Sequence, residues 1–397
     1  MCGIVGYLSR SGSSNLGPEQ LRAMRDTMVH RGPDGFGLNL FQENRVGLAH
    51  RRLAIIDLSS AGHEPMPFQE ERYWLTFNGE IYNATELRKT LQAQGCVFKS
   101  TCDAEVVLAA YATWGKDCVQ RFNGMWGFAI WDDTAETLFC SRDRFGVKPF
   151  YYADDGDLFV FASEIRAILA SGQIPLQTHA KALFAYLQGG LVDGLEETFF
   201  AGINRLQPGC CLLIDHSGAK TWRYWDHEVA SFSDKNPTPN TIADVKSAFE
   251  AAVESHMVSE VPLGVSLSGG LDSSAIFATA SNLSSTPLRT YSAYYEEPGP
   301  FDERRYSDRM TQRYPAQAHQ VRPQRDRLLQ TLPRMIWHLE EPPLANGVYP
   351  RWNIAEVASQ HVKVLLVGQG ADELLAGYSH HQRKPPVKTA VTQLWIC

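Results

Sequence analysis

A cysteine placed directly after the initiator methionine has chemistry that an interior cysteine lacks. If Met1 is removed, Cys2 carries the α-amino group of the chain, whose unperturbed pKa of roughly 7.7–8.0 lets it take the thiol proton and later pass it to a leaving amine. One residue then supplies both nucleophile and base. A second chemical signal lies far downstream. Ser268-Gly269-Gly270-Leu271-Asp272-Ser273-Ser274 follows an apolar run that ends at Leu267 and precedes a helix-compatible segment with Ala275, Ile276 and Phe277. A strand, a glycine-containing turn and a helix start form a cradle of backbone N–H groups and hydroxyls suited to an anion. The Gly-Lys-Ser/Thr ending of a Walker loop is missing, so ordinary γ-phosphate transfer is not indicated.

The elements that must carry these residues differ between the two halves. From residue 1 to about 215, short β-type runs (2–8, 73–77, 127–131, 138–140 and 158–162) are broken by Gly, Pro and Asp, which predicts layered antiparallel sheets. Helical spacing at 18–28 and 104–114 adds helices packed on those sheets, an α+β arrangement. Residues 216–240 lose periodicity and read as a linker. Thr241 is then placed to cap a helix whose Ile242, Val245, Phe249, Ala252, Val253 and Met257 share one face. Apolar runs at 261–267 and 362–367, each followed by a glycine-containing turn, predict a parallel α/β sheet with its site at the strand C-termini.

Composition excludes several classes. The chain has 397 residues, 44% hydrophobic and 20% charged, and no apolar run approaches the ~20 residues needed to span a bilayer. A net charge of -7 argues against a broad nucleic-acid-binding face. The eight cysteines show no C-x-x-C pair and the twelve histidines no H-E-x-x-H, so neither a disulfide scaffold nor a protein-built zinc site is indicated. The start lacks the charged leader and apolar core of a secretory signal, so a cytoplasmic location is expected.

Five segments then occur in one order: Met1-Cys2-Gly3-Ile4-Val5-Gly6, His30-Arg31-Gly32-Pro33-Asp34-Gly35, Arg52-Leu53-Ala54-Ile55-Ile56-Asp57, Asn78-Gly79-Glu80-Ile81-Tyr82-Asn83 and Arg142-Asp143-Arg144-Phe145-Gly146-Val147-Lys148-Pro149. Together they resemble the class II glutamine amidotransferase domain, an N-terminal-nucleophile hydrolase, over residues 2–215. The resemblance implies a four-layer α-β-β-α sandwich and attack of the Cys2 thiolate on the side-chain amide of glutamine. It assigns the oxyanion donors to the Asn78 side chain and the Gly79 N–H. It assigns the glutamine α-carboxylate to Arg52 and the α-ammonium to Asp103. Glu80 becomes a further substrate contact, and Leu53, Ala54, Ile55 and Ile56 line the glutamine site. Only the arginine directly before Leu53 matches the family, so Arg51 reads as a surface charge. Asn78-Gly79 taken alone reads as a hairpin turn, and His30 and His50 read as structural.

The Ser268 segment resembles the pyrophosphate loop of ATP pyrophosphatases, which form an acyl-adenylate. By that resemblance Ser266, Ser268, Gly269, Gly270, Asp272, Ser273, Ser274, Ala293, Val367 and Gly368 contact ATP. Asp272 helps hold Mg²⁺ on the pyrophosphate, and Asp372, within Gly368-Gln369-Gly370-Ala371-Asp372-Glu373, is a metal or substrate contact. Val367 stands where the family often has a hydroxyl, and Glu340-Glu341-Pro342 resembles an acidic segment near the acceptor. Joined in one chain, the halves resemble glutamine-hydrolysing asparagine synthetases: a glutaminase domain at 1–215, a linker at 216–240 and an ATP-pyrophosphatase domain at 241–397 that reads as truncated. The implied reaction uses ATP, Mg²⁺, glutamine and aspartate. Ammonia released at Cys2 passes through an interior tunnel to β-aspartyl-AMP. No nucleic acid or membrane partner is expected, and homodimerisation is open. Two alternatives stand beside this reading: a truncated paralogue acting as a glutaminase only or as a regulatory partner, and an amidotransferase for another carboxylate. The short C-terminal tail, with only Lys384 and Lys388 to replace the family's phosphate-contacting lysine, leads to an expectation of glutaminase activity with weak asparagine formation.

Overall fold

The structure, a computed structural model, describes residues 1–12, 16–190, 195–227, 239–296, 299, 302–342 and 347–378. The chain divides into two compact units, Met1–Ala230 and Ser231–Cys397. The tail that carries Lys384 and Lys388 lies outside the described residues.

Among its described residues the first unit contains twelve strands: β1 (Gly3–Ser9), β2 (Gly35–Phe41), β3 (Val46–Arg52), β4 (Met66–Phe68), β5 (Tyr73–Ile81), β6 (Gly124–Asp132), β7 (Thr137–Arg142), β8 (Tyr151–Asp154), β9 (Leu158–Ala162), β10 (Asn204–Arg205), β11 (Cys210–Asp215) and β12 (Gly218–Arg223). They form two six-stranded sheets, ordered β10-β8-β9-β1-β3-β2 and β12-β11-β7-β6-β5-β4. Neighbouring strands run antiparallel in both. Every residue of β1 is buried, which is why Gly-Ile-Val-Gly-Tyr-Leu-Ser shows no polar alternation. Its side chains still divide by face. Ile4 and Leu8 join Leu48, Trp131, Leu138 and Leu212 in a cluster between the sheets. Val5 and Tyr7 instead join Leu21 and Met24 of α1 (Pro18–Asp26). The same cluster takes Ile165 and Ile168 of α4 (Ile165–Leu169).

On the second sheet, Phe77 and Phe128 meet Leu87 and Leu91 of α2 (Ala84–Ala93) and Val107 and Leu108 of α3 (Asp103–Trp114). A fully buried large apolar side chain contributes roughly 1.5–3 kcal/mol, against ~0–1 kcal/mol for an exposed ion pair. Three clusters of this size therefore hold the unit, and the charged contacts described below have other uses. A further helix, α5 (Ala180–Gly189), ends on left-handed Gly190. The pairing of β11 with β12 runs from Cys210 opposite Arg223 to Asp215 opposite Gly218. Sheet structure thus continues into the stretch that the sequence marked as linker.

The second unit carries a parallel sheet ordered β15 (Ala316–Val321), β14 (Leu288–Ala293), β13 (Leu263–Ser266), β16 (Val364–Leu366). Around it run α6 (Pro239–His256), α7 (Leu271–Leu283), α8 (Arg304–Arg313), α9 (Leu328–Leu339), α10 (Val348–Ala358) and α11 (Ala371–Leu375). The helix α6 starts at Pro239, a residue suited to a first helical turn, and not after a Thr241 cap. Only part of its predicted face is covered. Phe249, Val253 and Met257 pack with Val265 and Leu267, whereas Ile242, Val245 and Ala252 are exposed. Among the described residues no helix is long and apolar enough to cross a membrane.

Candidate active site

Antiparallel pairing of β1 with β3 sets Gly3 opposite Arg51, so Cys2 meets the chain where it leaves β3. The Leu53 N–H lies 3.4 Å from Cys2 Sγ, and the thiol reaches the Leu53 carbonyl at 3.7 Å. Arg31 Nε donates to the Cys2 carbonyl at 2.9 Å, and Arg31 Nη1 donates to Glu164 Oε1 at 3.2 Å. The same carboxylate oxygen is 2.9 Å from His30 Nε2. Burial pushes the Glu164 carboxyl up, but His30 and Arg31 together hold it below the usual range. His30, Arg31 and Glu164 therefore clamp the main chain of the candidate nucleophile. The Met1 ammonium donates to the Arg31 carbonyl at 3.2 Å. Its pKa is lowered to about 5, chiefly by desolvation.

Asn78 and Gly79 lie inside β5, opposite Gly127 and Trp126 of β6, and do not form a hairpin turn. Phe77 faces the α2 and α3 cluster, and Thr76 Oγ1 donates across to the Ala49 carbonyl of β3. Strand alternation puts Thr76, Asn78 and Glu80 on that inner face. Asn78 is 1% exposed, and its Nδ2 is a buried donor with no partner among the described residues. Such a group costs roughly 1–3 kcal/mol. An orphaned amide N–H₂ on the face turned toward β3 is what an oxyanion donor looks like without substrate.

Arg52 ends β3. Its Nη1 donates to the Ser59 carbonyl at 2.7 Å and its Nη2 to the Asp57 carbonyl. A Cβ on Gly62 would stand 2.1 Å from Arg52 Nη2, so the guanidinium fits only because that position is glycine. The Asp57 carboxylate accepts from Ser59 Oγ at 2.5 Å and from Thr101 N–H at 3.0 Å, which ties the arginine loop to the segment before Asp103. Those bonds, the Ser59 hydroxyl first, hold Asp57 below the usual carboxylate range. Asp103 opens α3, buried, with Oδ2 accepting from the Ile81 N–H at 2.9 Å. Burial raises its pKa, and burial with the Asp103 charge raises Glu80 to about 8. Ala54 N–H donates to Asp34 Oδ2 at 2.9 Å, which fixes the path of the 53–56 segment. Arg51 is not a loose surface charge, since it binds Asp26 at 2.8 Å and lies over Phe36.

In the second unit the predicted nucleotide contacts collect at one edge of the parallel sheet. Ser266 ends β13, Ala293 ends β14, and Val367 and Gly368 follow β16. The turn after β13 is preformed: Gly270 N–H donates to Ser268 Oγ at 3.2 Å, Ser268 Oγ and Ser273 Oγ lie 2.9 Å apart, and Ser274 N–H donates to the Gly270 carbonyl at 3.1 Å. Gly269 has φ +94°, and a Cβ there would meet the Glu303 carbonyl at 2.8 Å. At the next motif the constraint is space: a Cβ on Gly368 would stand 3.2 Å from the Ser273 nitrogen and 3.3 Å from Asp272 Cβ. Burial, then the charges of Asp372 and Glu373, raise the Asp272 pKa. Glu341 is buried and Glu340 closes α9 in a left-handed conformation.

Comparison with known proteins matches two stretches of the chain separately. The glutamine amidotransferase domain family matches residues 1–225 and the asparagine synthase family residues 244–395. Asparagine synthetase [glutamine-hydrolyzing] 3 of Bacillus subtilis is 36% identical over 95% of this chain and 63% of its own. A Methanocaldococcus jannaschii protein named "Putative asparagine synthetase [glutamine-hydrolyzing] 2" is 32% identical over 96% of this chain and 76% of its own. The chain belongs to the glutamine-hydrolysing asparagine synthetase family. It spans about three-fifths of the B. subtilis relative's length. A solved B. subtilis glutamine phosphoribosylpyrophosphate amidotransferase superposes with a TM-score of 0.43 at 16% identity, over 81% of each chain.

Three groups near Cys2 were given no role from sequence: Lys148, Glu164 and Glu64, the last of which lies against His50, read there as structural. Glu64 Oε2 accepts from the Phe77 N–H at 2.5 Å, and His50 Nε2 lies 3.1 Å from the Phe77 carbonyl. The two side chains approach to 3.7 Å. Burial raises Glu64 to about 8 and lowers His50, so the pair is neutral at neutral pH and is not an ion pair despite its spacing. Lone His and Glu residues gave no signal, because their meeting depends on the β3 and β5 packing.

Two predictions arise here. Between the ordinary glutamate pKa and about 8 the folded chain keeps the Glu64 proton that the unfolded chain has released, so stability falls as pH rises through that window. Glu64→Gln is expected to shrink the loss of Tm between mildly acidic and mildly alkaline buffer. Parallel Tm curves for the two proteins would contradict it. Arg52→Ala is expected to raise the glutamine KM by about 10–100-fold with little change in kcat, because one charge-assisted contact to bound substrate is lost. A fall in kcat at constant KM would be the opposite result.

Proposed function

We propose that the first unit is an N-terminal-nucleophile glutaminase of four-layer α-β-β-α type and that the second is an ATP-pyrophosphatase-type domain using the released ammonia. The observation that carries the first half is the unpartnered Asn78 Nδ2, buried on the β5 face turned toward β3. With Met1 removed, the Cys2 amine would stand beside its own thiol and, in its unprotonated form, accept the thiol proton.

Sγ attacks the glutamine amide carbon, and the oxyanion is met by Asn78 Nδ2 and the Gly79 N–H. The amine returns the proton to the leaving nitrogen, the C–N bond breaks, and ammonia departs from a glutamyl thioester. Water then cleaves the C–S bond, giving glutamate and the free thiol. Arg52 holds the α-carboxylate, and Asp103 with Glu80 faces the α-ammonium, whose charge favours their ionised forms against the burial that raises both.

In the second unit the Ser268–Ser274 turn and the α7 start offer N–H groups and hydroxyls to a pyrophosphate. Burial, then the charges of Asp372 and Glu373, raises Asp272, and Asp272 with Asp372 would make a donor pair suited to Mg²⁺ bound jointly with phosphate oxygens. Among the described residues no group of three or more His, Cys, Asp or Glu could hold a metal by itself. The Mg²⁺ ion would offset charge on the departing pyrophosphate. The acceptor proposed is aspartate, activated as β-aspartyl-AMP. Purified chain incubated with glutamine, aspartate and MgATP should form glutamate, AMP and asparagine, with AMP dependent on aspartate. Absence of glutamate from a Met1-free preparation would sink the glutaminase reading. AMP formation indifferent to aspartate would sink the acceptor.

A further inference from the structure

Lys148 is a buried lysine close enough to Cys2 to interact with its charge, and it has no role in the proposed scheme. It is 6% exposed, and its backbone is fixed from two sides. The Asp143 carboxylate accepts from the N–H groups of Lys148 at 2.9 Å and Trp126 at 3.1 Å. Arg142 Nε donates to the Lys148 carbonyl at 2.8 Å. The side chain starts over Gly127: a Cβ added there would lie 3.8 Å from Lys148 Cβ. Gly127 pairs directly with Asn78, and directly opposed residues of an antiparallel pair share a face. Glu80, two residues beyond Asn78, shares it too. The missing side chain at Gly127 thus leaves room for the lysine stem on the face that carries the proposed oxyanion donor.

The charged groups around Lys148 come from several elements. Cys2 and the chain-start ammonium precede β1, Arg31 follows α1, Glu80 lies on β5 and Asp143 follows β7. Burial lowers the lysine's pKa, while Glu80 and Cys2 oppose that effect. Arg31 already bonds the Cys2 carbonyl and Glu164. Burial, then the Asp103 charge, raises Glu80 to about 8. Beyond Glu80 stands Asp103, which adds to the negative side of the basin.

Resting on the glutaminase reading, we propose that Lys148 is a positioning residue for the nucleophile: its ammonium offsets the negative charge formed at Cys2 and so keeps the thiolate accessible at neutral pH. A structural lysine would affect folding alone, so the test reads the thiol directly. Iodoacetamide labelling of Cys2, followed by peptide mass spectrometry without glutamine, is compared for the Met1-free parent, K148M and K148R. K148M is expected to label about 10-fold more slowly at neutral pH, the deficit closing in alkaline buffer, with K148R close to the parent. K148Q is the second neutral variant should K148M fail to fold. Equal labelling rates in a folded neutral variant, or a deficit unchanged by alkaline pH, would overturn the proposal. Glutamate release by the parent is measured in parallel. Its absence would remove the glutaminase reading, while the labelling comparison still decides the effect of Lys148 on Cys2.

Discussion

Cys2→Ala is expected to reduce glutamine hydrolysis to background while leaving the chain folded and able to bind glutamine. The side chain is only half-buried, and its hydrogen bonds among the described residues are two weak ones, both with Leu53. Removing Sγ therefore costs little stability. The groups proposed to hold substrate are anchored without it: Arg52 through the carbonyls of Asp57 and Ser59, and Asp103 through the Ile81 N–H. What disappears is the atom proposed to form the acyl intermediate. Retention of Met1 should be comparably damaging, because it converts the Cys2 amine to a peptide nitrogen that cannot accept a proton. Near-normal turnover by the alanine variant, or by a preparation shown by mass spectrometry to keep Met1, would contradict the mechanism.

Asn78→Ala is expected to lower kcat by about 10²–10³-fold with a much smaller change in KM. The ground-state amide oxygen gains little from this donor, whereas the tetrahedral oxyanion needs it. Folding should survive, since Asn78 Nδ2 has no intramolecular partner to lose among the described residues. Deleting an unsatisfied buried donor removes a desolvation penalty as well as a group. Steady-state kinetics separate the outcomes. A change confined to KM would make Asn78 a substrate contact and leave the oxyanion without its side-chain donor.

The two candidate sites were legible in sequence to different depths. Cys2, Arg52, Asn78 and the Ser268–Ser274 turn stand in short ordered segments, and the strands and helices that carry them follow from local periodicity, as at β1, α1, α3 and β9. What failed locally depended on partners distant in the chain. Asn78-Gly79 has the composition of a turn, but pairing with Gly127 and Trp126 draws it into β5. The polar β12 is a strand because β11 offers an edge, not because its own sequence alternates strongly. Ile242 and Val245 have helical spacing without a covering surface in their own unit. Glu64, His50 and Lys148 gave no single-residue signal, since their properties come from burial and from neighbours on other strands.

The central claim, that Cys2 Sγ attacks glutamine, is tested most directly by trapping the acyl intermediate. Met1-free protein is mixed with glutamine, quenched in acid during turnover and digested at low pH to preserve thioesters, and the peptides are mapped by mass spectrometry. The account predicts a glutamyl thioester on the N-terminal peptide at Cys2, absent from Cys2→Ala and accumulating less in Asn78→Ala. Active protein that yields the adduct on another residue, such as Cys96 or Cys102, or a Cys2→Ala chain that still forms it, would contradict the account.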